Sequence, residues 1–150
     1  MDILTIIVSA IAAGASAGLK PAAKQAIKDA YQGIKGLIVG KYAKVDVGGL
    51  EKKPDSKAKQ DSLKEDLQDA GAAGDRELLA KARELLDIVE RMDAAAAAAV
   101  GVDIAKVKAA ALKIGNVSST GVGVRVQESE FRGDIQIGDV TAGQRKPPAP

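Results

Sequence analysis

The chain has 150 residues, no His, Cys or Trp, and three aromatic residues, Tyr31, Tyr42 and Phe131. That excludes an imidazole base, a thiolate nucleophile, a disulfide framework and the usual zinc and iron–sulfur sites, and it allows one domain with a real core plus a short appendage. The net charge is +2 but unevenly spread: residues 1–54 hold eight Lys against four acids, and residues 55–100 hold seven basic against eleven acidic groups. A basic first third beside an acidic middle describes an oriented surface, and so few stacking platforms argue against nucleic acid as a partner. The acids form no plausible catalytic or metal cluster. The expectation is therefore a non-enzymatic protein with no cofactor, and the absence of Cys leans toward the cytoplasm.

From Ile3 to Leu19 there is no charged side chain, a run of 17 residues. As a helix it would be roughly 26 Å long at ~1.5 Å per residue. A membrane span wants about 20 predominantly apolar residues, and Asp2 stands where a signal peptide would be positive. Two readings stay open: a buried helix of a bundle, or a membrane-targeting segment (1–19) that inserts Ile3, Leu4, Ile6, Ile7, Ile11, Gly14 and Gly18. Gly14-Ala15-Ser16-Ala17-Gly18, with Ala10 one turn earlier, makes a smooth ridge along which helix backbones can approach closely.

Lys20-Pro21 is expected to open the second helix, since Pro is tolerated in a first turn. Ala23, Ala26, Ile27, Ala30, Tyr31, Ile34, Leu37 and Ile38 follow helical spacing and form its apolar face. Lys24, Lys28 and Lys35 lie on another face, with Lys20 at the start. Such a basic face is either ordinary solvated surface or a site for anionic membrane lipids. Gly36-Leu37-Ile38-Val39-Gly40-Lys41-Tyr42 fails as a phosphate loop: the gap between glycines is one residue short, and Tyr42 replaces the required Ser or Thr.

Val45 to Pro54, with Gly48-Gly49, reads as a connector. Asp55 or Ser56 then caps a helix carrying Leu63, Leu67 and Ala70, which Gly71 stops. Asp75 caps the next helix, where Leu78, Ala82, Leu85, Val89, Met92 and Ala96 alternate spacings of four and three, the seam of packed helices. Arg83, Asp87 and Arg91 face outward with i,i+4 pairing. Asp93 and the alanines 94–99 extend this helix to about Val100, and Gly101 ends it. Residues 1–100 are thus expected to form an antiparallel four-helix bundle in a mainly α chain.

Residues 101–111 read as a connector that could still be helical. From Leu112 the period becomes two: Leu112 and Ile114; Val122, Val124 and Val126; Ile135 and Ile137. Ile114-Gly115-Asn116-Val117 returns as Ile137-Gly138-Asp139-Val140, an offset that suits two rungs of a stacked β-arc over residues 112–143. Its expected amyloid core is Ile114, Val117, Ile135, Gln136, Ile137, Gly138 and Val140. A strand pair packed on the bundle is the plainer alternative. Residues 144–150, rich in proline, read as a disordered end.

Ile135-Gln136-Ile137-Gly138 matches the core tetrad of the RIP homotypic interaction motif (RHIM), an amyloid-forming signalling motif, and is similar to related fungal and bacterial motifs. Further on, Thr141 and Gly143 stand where the animal pattern has Asn and Met. The first hundred residues resemble the bacterial Bell domain, the proposed counterpart of the fungal HeLo and HELL domains and of the mixed-lineage kinase-like bundle. The stretches that carry this are Lys20-Pro21-Ala22-Ala23, Leu50-Glu51-Lys52-Lys53-Pro54-Asp55-Ser56 and Asp75-Arg76-Glu77-Leu78-Leu79. The resemblance implies a pore-forming cell-death effector of bacterial innate immunity. An upstream sensor with a matching amyloid motif would template the tail, and the chain would assemble with itself. The first helix would then leave the cytoplasm for the cell membrane. The alternative is a non-lytic helical adaptor that oligomerises through its C-terminal β segment.

Overall fold

The computed structural model describes residues 1–122, with side chains to Ile114. The chain divides into two compact units, Met1–Leu112 and Lys113–Pro150; in the second, only the end of the last helix is described. Asp2 opens α1 (Ile3–Gly18), its carboxylate accepting the Thr5 N–H at 2.8 Å. With no charge along its length, α1 buries Leu4, Ile6, Ile7, Val8 and every residue from Ala10 to Ala15. Only Ile3, Thr5, Ser9 and Ser16 are half-buried, and a helix with so little polar surface must be enclosed nearly all round.

The other helices enclose it. α2 (Gln25–Lys41) buries Ile27, Tyr31, Ile34 and Ile38; α4 (Lys57–Asp69) buries Leu63 and Leu67; α5 (Arg76–Ala99) buries Leu78, Leu79, Ala82, Leu85, Leu86 and Val89. Each presents one apolar stripe, and α1 packs against α2, α5, α4 and the short α3 (Gly48–Lys52). Instead of four helices sharing a core equally, one helix is the core and the others are its shell. Among the described residues there is no strand.

Local capping follows the expected residues. Ser56 caps α4 by accepting the Lys59 N–H, and Asp75 caps α5 by accepting the Leu78 N–H at 2.9 Å. Gly71 (φ +86°) and Gly101 (φ +79°) take the left-handed conformation that ends α4 and α5, which only glycine adopts without steric cost.

Four expectations are corrected. The second helix starts at Gln25, not Lys20: Lys20 C=O accepts the Ala23 N–H at 3.1 Å, so Pro21 sits at the second position of a β-turn, where its fixed φ fits equally well. The connector after Val45 contains α3, which packs against α1 and α4 and whose Leu50 is buried. Met92 is 39% exposed instead of lining the seam, because it lies at the edge of the arc that α5 buries through Leu78, Leu79, Ala82, Leu85, Leu86 and Val89; past it the helix kinks at Asp93 (φ −160°, ψ 62°). Residues 101–103 join two helices and 104–111 are helical, as the reading allowed, but 112–122 are not extended: α6 (Ile104–Val122) runs on through them, and Leu112, Ile114 and Val117 lie on it. Ile104, Val107 and Ala111 are buried and Ile114 half-buried, a spacing of three and four that is helical. The alternation Leu112-Lys113-Ile114 masked it.

Gly14 marks the closest approach. A Cβ there would lie 2.6 Å from Leu85 Cδ2 and 3.0 Å from Tyr31 Cδ1, whereas at Gly33 it would meet nothing within 4 Å. Gly14→Ala is expected to lower stability by about 1 kcal/mol, overpacking of ~1–3 kcal/mol outweighing the ~1 kcal/mol propensity gain. Gly33→Ala should raise it by ~0.5–1 kcal/mol. Thermal melts of the two variants check the difference in sign.

Candidate functional site

The residues expected to act at a membrane fall into two groups in the structure. Leu4, Ile6, Ile7, Ile11, Gly14 and Gly18 are buried and Ile3 half-buried, so the apolar set lies inside the protein on α1. The Gly14–Gly18 ridge serves this packing: Gly14 faces Leu85 and Tyr31, and Gly18 faces Ile27.

The basic set is divided between structural ties and free surface. Lys20, just past α1, pairs with Asp93 at 2.6 Å. Lys35 pairs with Glu51 at 2.9 Å, on the carboxylate oxygen that also accepts the Tyr31 hydroxyl at 2.7 Å. Lys24, exposed at the N-cap of α2, and half-buried Lys28 form no ion pair among the described residues. Of the amyloid set, Ile114 and Val117 lie on α6, while Ile135, Gln136, Ile137, Gly138 and Val140 lie outside the described residues.

Composition and periodicity did not reveal the polar ties around α1. At its start, Lys64 approaches Asp2 at 3.6 Å. At its end stands the Lys20–Asp93 pair. Alongside its middle, buried Tyr31 hydrogen-bonds Glu51 on α3. Further out, Asp75 accepts from Tyr42 and Lys41, and Lys108 of α6 bonds Asp87 and Glu90 of α5. The legible signal was the lone Tyr31 on an aliphatic face, since a buried phenol needs a partner.

These contacts shift the groups they join. Burial, then the Glu51 carboxylate, pushes the Tyr31 phenol well above its ordinary value of 10.0. The Lys20 ammonium holds Asp93 below the ordinary 3.8, and the Thr5 hydrogen bond does the same for Asp2. At Asp75 partial burial works upward, but bonds from Tyr42, the Leu78 N–H and Lys41 outweigh it. Lys108 lowers Asp87, and its own value is raised in return.

No helix among the described residues is long and apolar enough to cross a membrane. What the arrangement can do is store an uncharged helix, shielded along most of its surface, with short-range polar contacts at both ends.

The model of the Het-E N-terminal domain matches residues 1–145. The chain belongs to the Het-E N-terminal domain family. It is therefore a helical domain of the heterokaryon-incompatibility, cell-death-related class, related to the HeLo group. No curated protein and no solved structure gives a match. In this Het-E N-terminal domain the match covers the shell helices as well as α1, so the family relationship belongs to the assembled bundle.

The shifts set the pH response of the domain. Lowered carboxylates contribute stability that is present above 3.8 and lost as pH falls below it; raised Tyr31 and Lys108 contribute stability that is present below about 10 and lost above. With no His to titrate between these limits, the melting temperature is expected to be nearly flat from about pH 5 to 9 and to fall on either side. Circular dichroism melts across pH 3–11 check this; a step near pH 6 would contradict the assignment.

Proposed function

We propose that this Het-E N-terminal domain is a non-enzymatic cell-death effector that stores α1 at rest and delivers it to a membrane after assembly of its C-terminal segment. The observation that carries the reading is that α1 is uncharged and buried along most of its surface, only Ile3, Thr5, Ser9 and Ser16 being half-buried. Fully burying an aliphatic side chain contributes ~1.5–3 kcal/mol, so Leu4, Ile6, Ile7, Val8 and Ile11 together contribute roughly 7–15 kcal/mol. That is comparable to the whole stability of a domain, about 5–15 kcal/mol. Release therefore needs a coupled gain. Assembly of many copies, followed by burial of the same side chains in lipid, would supply it.

In this reading an upstream sensor's RHIM-like motif templates Ile135-Gln136-Ile137-Gly138, and the clustered bundles move from the cytoplasm to the cell membrane. Recruitment of Ile114 and Val117 into the same assembly would require α6 to unwind there. Lys24 and Lys28 then meet anionic lipid, while α1 lies in the boundary between headgroups and acyl chains, being too short to cross. The likeness to the Bell domain supports an immune role in bacteria; the family match supports the cell-death class. A second reading, a non-lytic adaptor that oligomerises through its tail, is favoured by the close fit of Gly14 against Leu85 and Tyr31, which suits a helix that never leaves.

The chain has no cysteine, so an engineered pair is unambiguous. Gly14→Cys with Leu85→Cys should lock α1 to α5 when oxidised. With preformed tail fibrils as seed, the oxidised protein is expected to leave anionic liposomes intact, and reduction to restore dye leakage. Equal leakage from the locked protein overturns the effector reading; clustering without leakage in either state leaves the adaptor.

The two unpaired lysines give a separate check. Lys24→Glu with Lys28→Glu should weaken binding to anionic vesicles at least tenfold, each basic residue near such a surface contributing ~1 kcal/mol. Lys35→Glu should instead destabilise the fold, because it sets a second carboxylate against Glu51. Vesicle sedimentation and melting curves separate the two effects.

A further inference from the structure

α4 carries its charges the wrong way round for a helix. The backbone dipole is positive at a helix start and negative at its end, so acids suit the first turn and bases the last. α5 obeys, with Asp75 at its cap and Glu77 in its first turn, and α2 ends on Lys41. α4 has no acid in its first turn and no base in its last; it opens with Lys57 and Lys59 and closes with Asp66 and Asp69. Its outer face adds like charges four residues apart, Asp61 with Glu65 and Glu65 with Asp69, which repel. Packing does not demand this order, since α4 buries Leu63 and Leu67 alone.

The layout makes two patches. Residues 52–59 hold four Lys and one Asp, and residues 61–69 hold four acids and one Lys. The α3–α4 turn gathers the lysines: Lys53 C=O accepts the Ser56 N–H, and Gln60 Nε2 donates to Pro54 C=O at 2.8 Å. The Lys59 stem passes over α3, where a Cβ on Gly49 would lie 3.7 Å from its Cδ. Lys57 pairs with Asp61 at 2.7 Å, both side chains mostly exposed, and half-buried Lys64 turns to Asp2. Lys52, Lys53, Lys59, Glu65, Asp66 and Asp69 are exposed, and none of them forms an ion pair among the described residues. Lys59 and Asp69 stand roughly 15 Å apart along the helix, beyond the ~8 Å reach of an exposed charge at physiological salt. Within one molecule the two patches therefore do not neutralise each other.

We propose that this face docks a second copy of the chain, the two α4 helices lying side by side and antiparallel. Reversing one helix sets its basic patch on its partner's acidic patch and its acidic patch on its partner's basic one. A single two-fold contact thus answers both patches and opposes the two dipoles, whereas a head-to-tail row leaves a patch bare at each end. Ala58 and Ser62, exposed on the same face as Asp61 and Glu65, are small enough to let the helices approach. A contact built from exposed charges is weak and sensitive to salt, so it forms where copies are crowded. It goes beyond the membrane reading and depends on neither lipid nor the tail.

Sedimentation of the full chain in ~20 and ~300 mM NaCl reads the pairing, with a dimer at low salt whose dissociation constant rises about tenfold at high salt. Lys52→Glu with Lys53→Glu and Lys59→Glu makes both patches acidic; Glu65→Lys with Asp66→Lys and Asp69→Lys makes both basic. Each variant alone should be monomeric at low salt, and an equal mixture of the two should associate again. Both reversals agree with the helix dipole, so neither should lower the melting temperature. Ser62→Cys, the one thiol in such a chain, lies near the two-fold axis and should join copies on oxidation at low salt, while exposed Ala73→Cys should not. A mixture that stays monomeric overturns the proposal, as does either reversed variant that still dimerises alone, or a dimer indifferent to salt. Equal crosslinking through the two cysteine positions overturns the antiparallel arrangement.

Discussion

An uncharged helix of sixteen residues offers water little beyond the narrow edge of Thr5, Ser9 and Ser16, and the rest of this domain is arranged to meet that constraint. α2, α4 and α5 are each only half apolar, so each turns its apolar stripe toward α1, α2 and α5 also packing against each other, and leaves its charged side outside. The uneven charge along the chain follows. The basic groups of the first third and the acids of the middle belong to shell helices, and several join across the surface, as in Lys41 with Asp75 and Lys20 with Asp93. Close packing comes from the small residues of α1, which allow Leu85 and Tyr31 to reach its backbone.

Burial and polar contacts play different parts in holding α1. Surface ion pairs such as Lys64–Asp2 contribute ~0–1 kcal/mol and could not retain a helix against any real pull. The aliphatic side chains do that. The polar contacts join elements that apolar burial alone leaves loosely specified: Tyr31 and Lys35 of α2 meet Glu51 of α3, and Lys20, just past α1, meets Asp93 of α5.

Features encoded by neighbouring residues were legible in the sequence. Ser56, Asp75, Gly71 and Gly101 delimit helices as their types require, and the uncharged run predicted α1 to within a residue. The failures lie where two local rules agree with the same residues or where a distant partner decides. Pro21 suits a helix start and a turn equally. Leu112 and Ile114 satisfy a strand period while Ile104, Val107, Ala111 and Ile114 satisfy a helical one, and packing against the bundle selects the second. The bend at Asp93, whose carboxylate meets Lys20 from far away in sequence, is not contained in any reading of α5 alone. The resemblance to cell-death bundles reached the right class because it rested on element order, which survives errors of a few residues.

The central position of α1 also bears on how the chain is made. In chain order α1 precedes every helix that covers it, and its chief neighbour α5 does not end until Ala99. At about 5–20 residues per second, the interval between synthesis of α1 and of its last covering helix is roughly 5–20 seconds. For that time an uncharged, strongly apolar segment has at most part of its shell, α2, α3 and α4 arriving before α5, and any bilayer or chaperone within reach competes for it. The domain is thus most exposed to premature contact with lipid during its own translation, before the shell exists to prevent it.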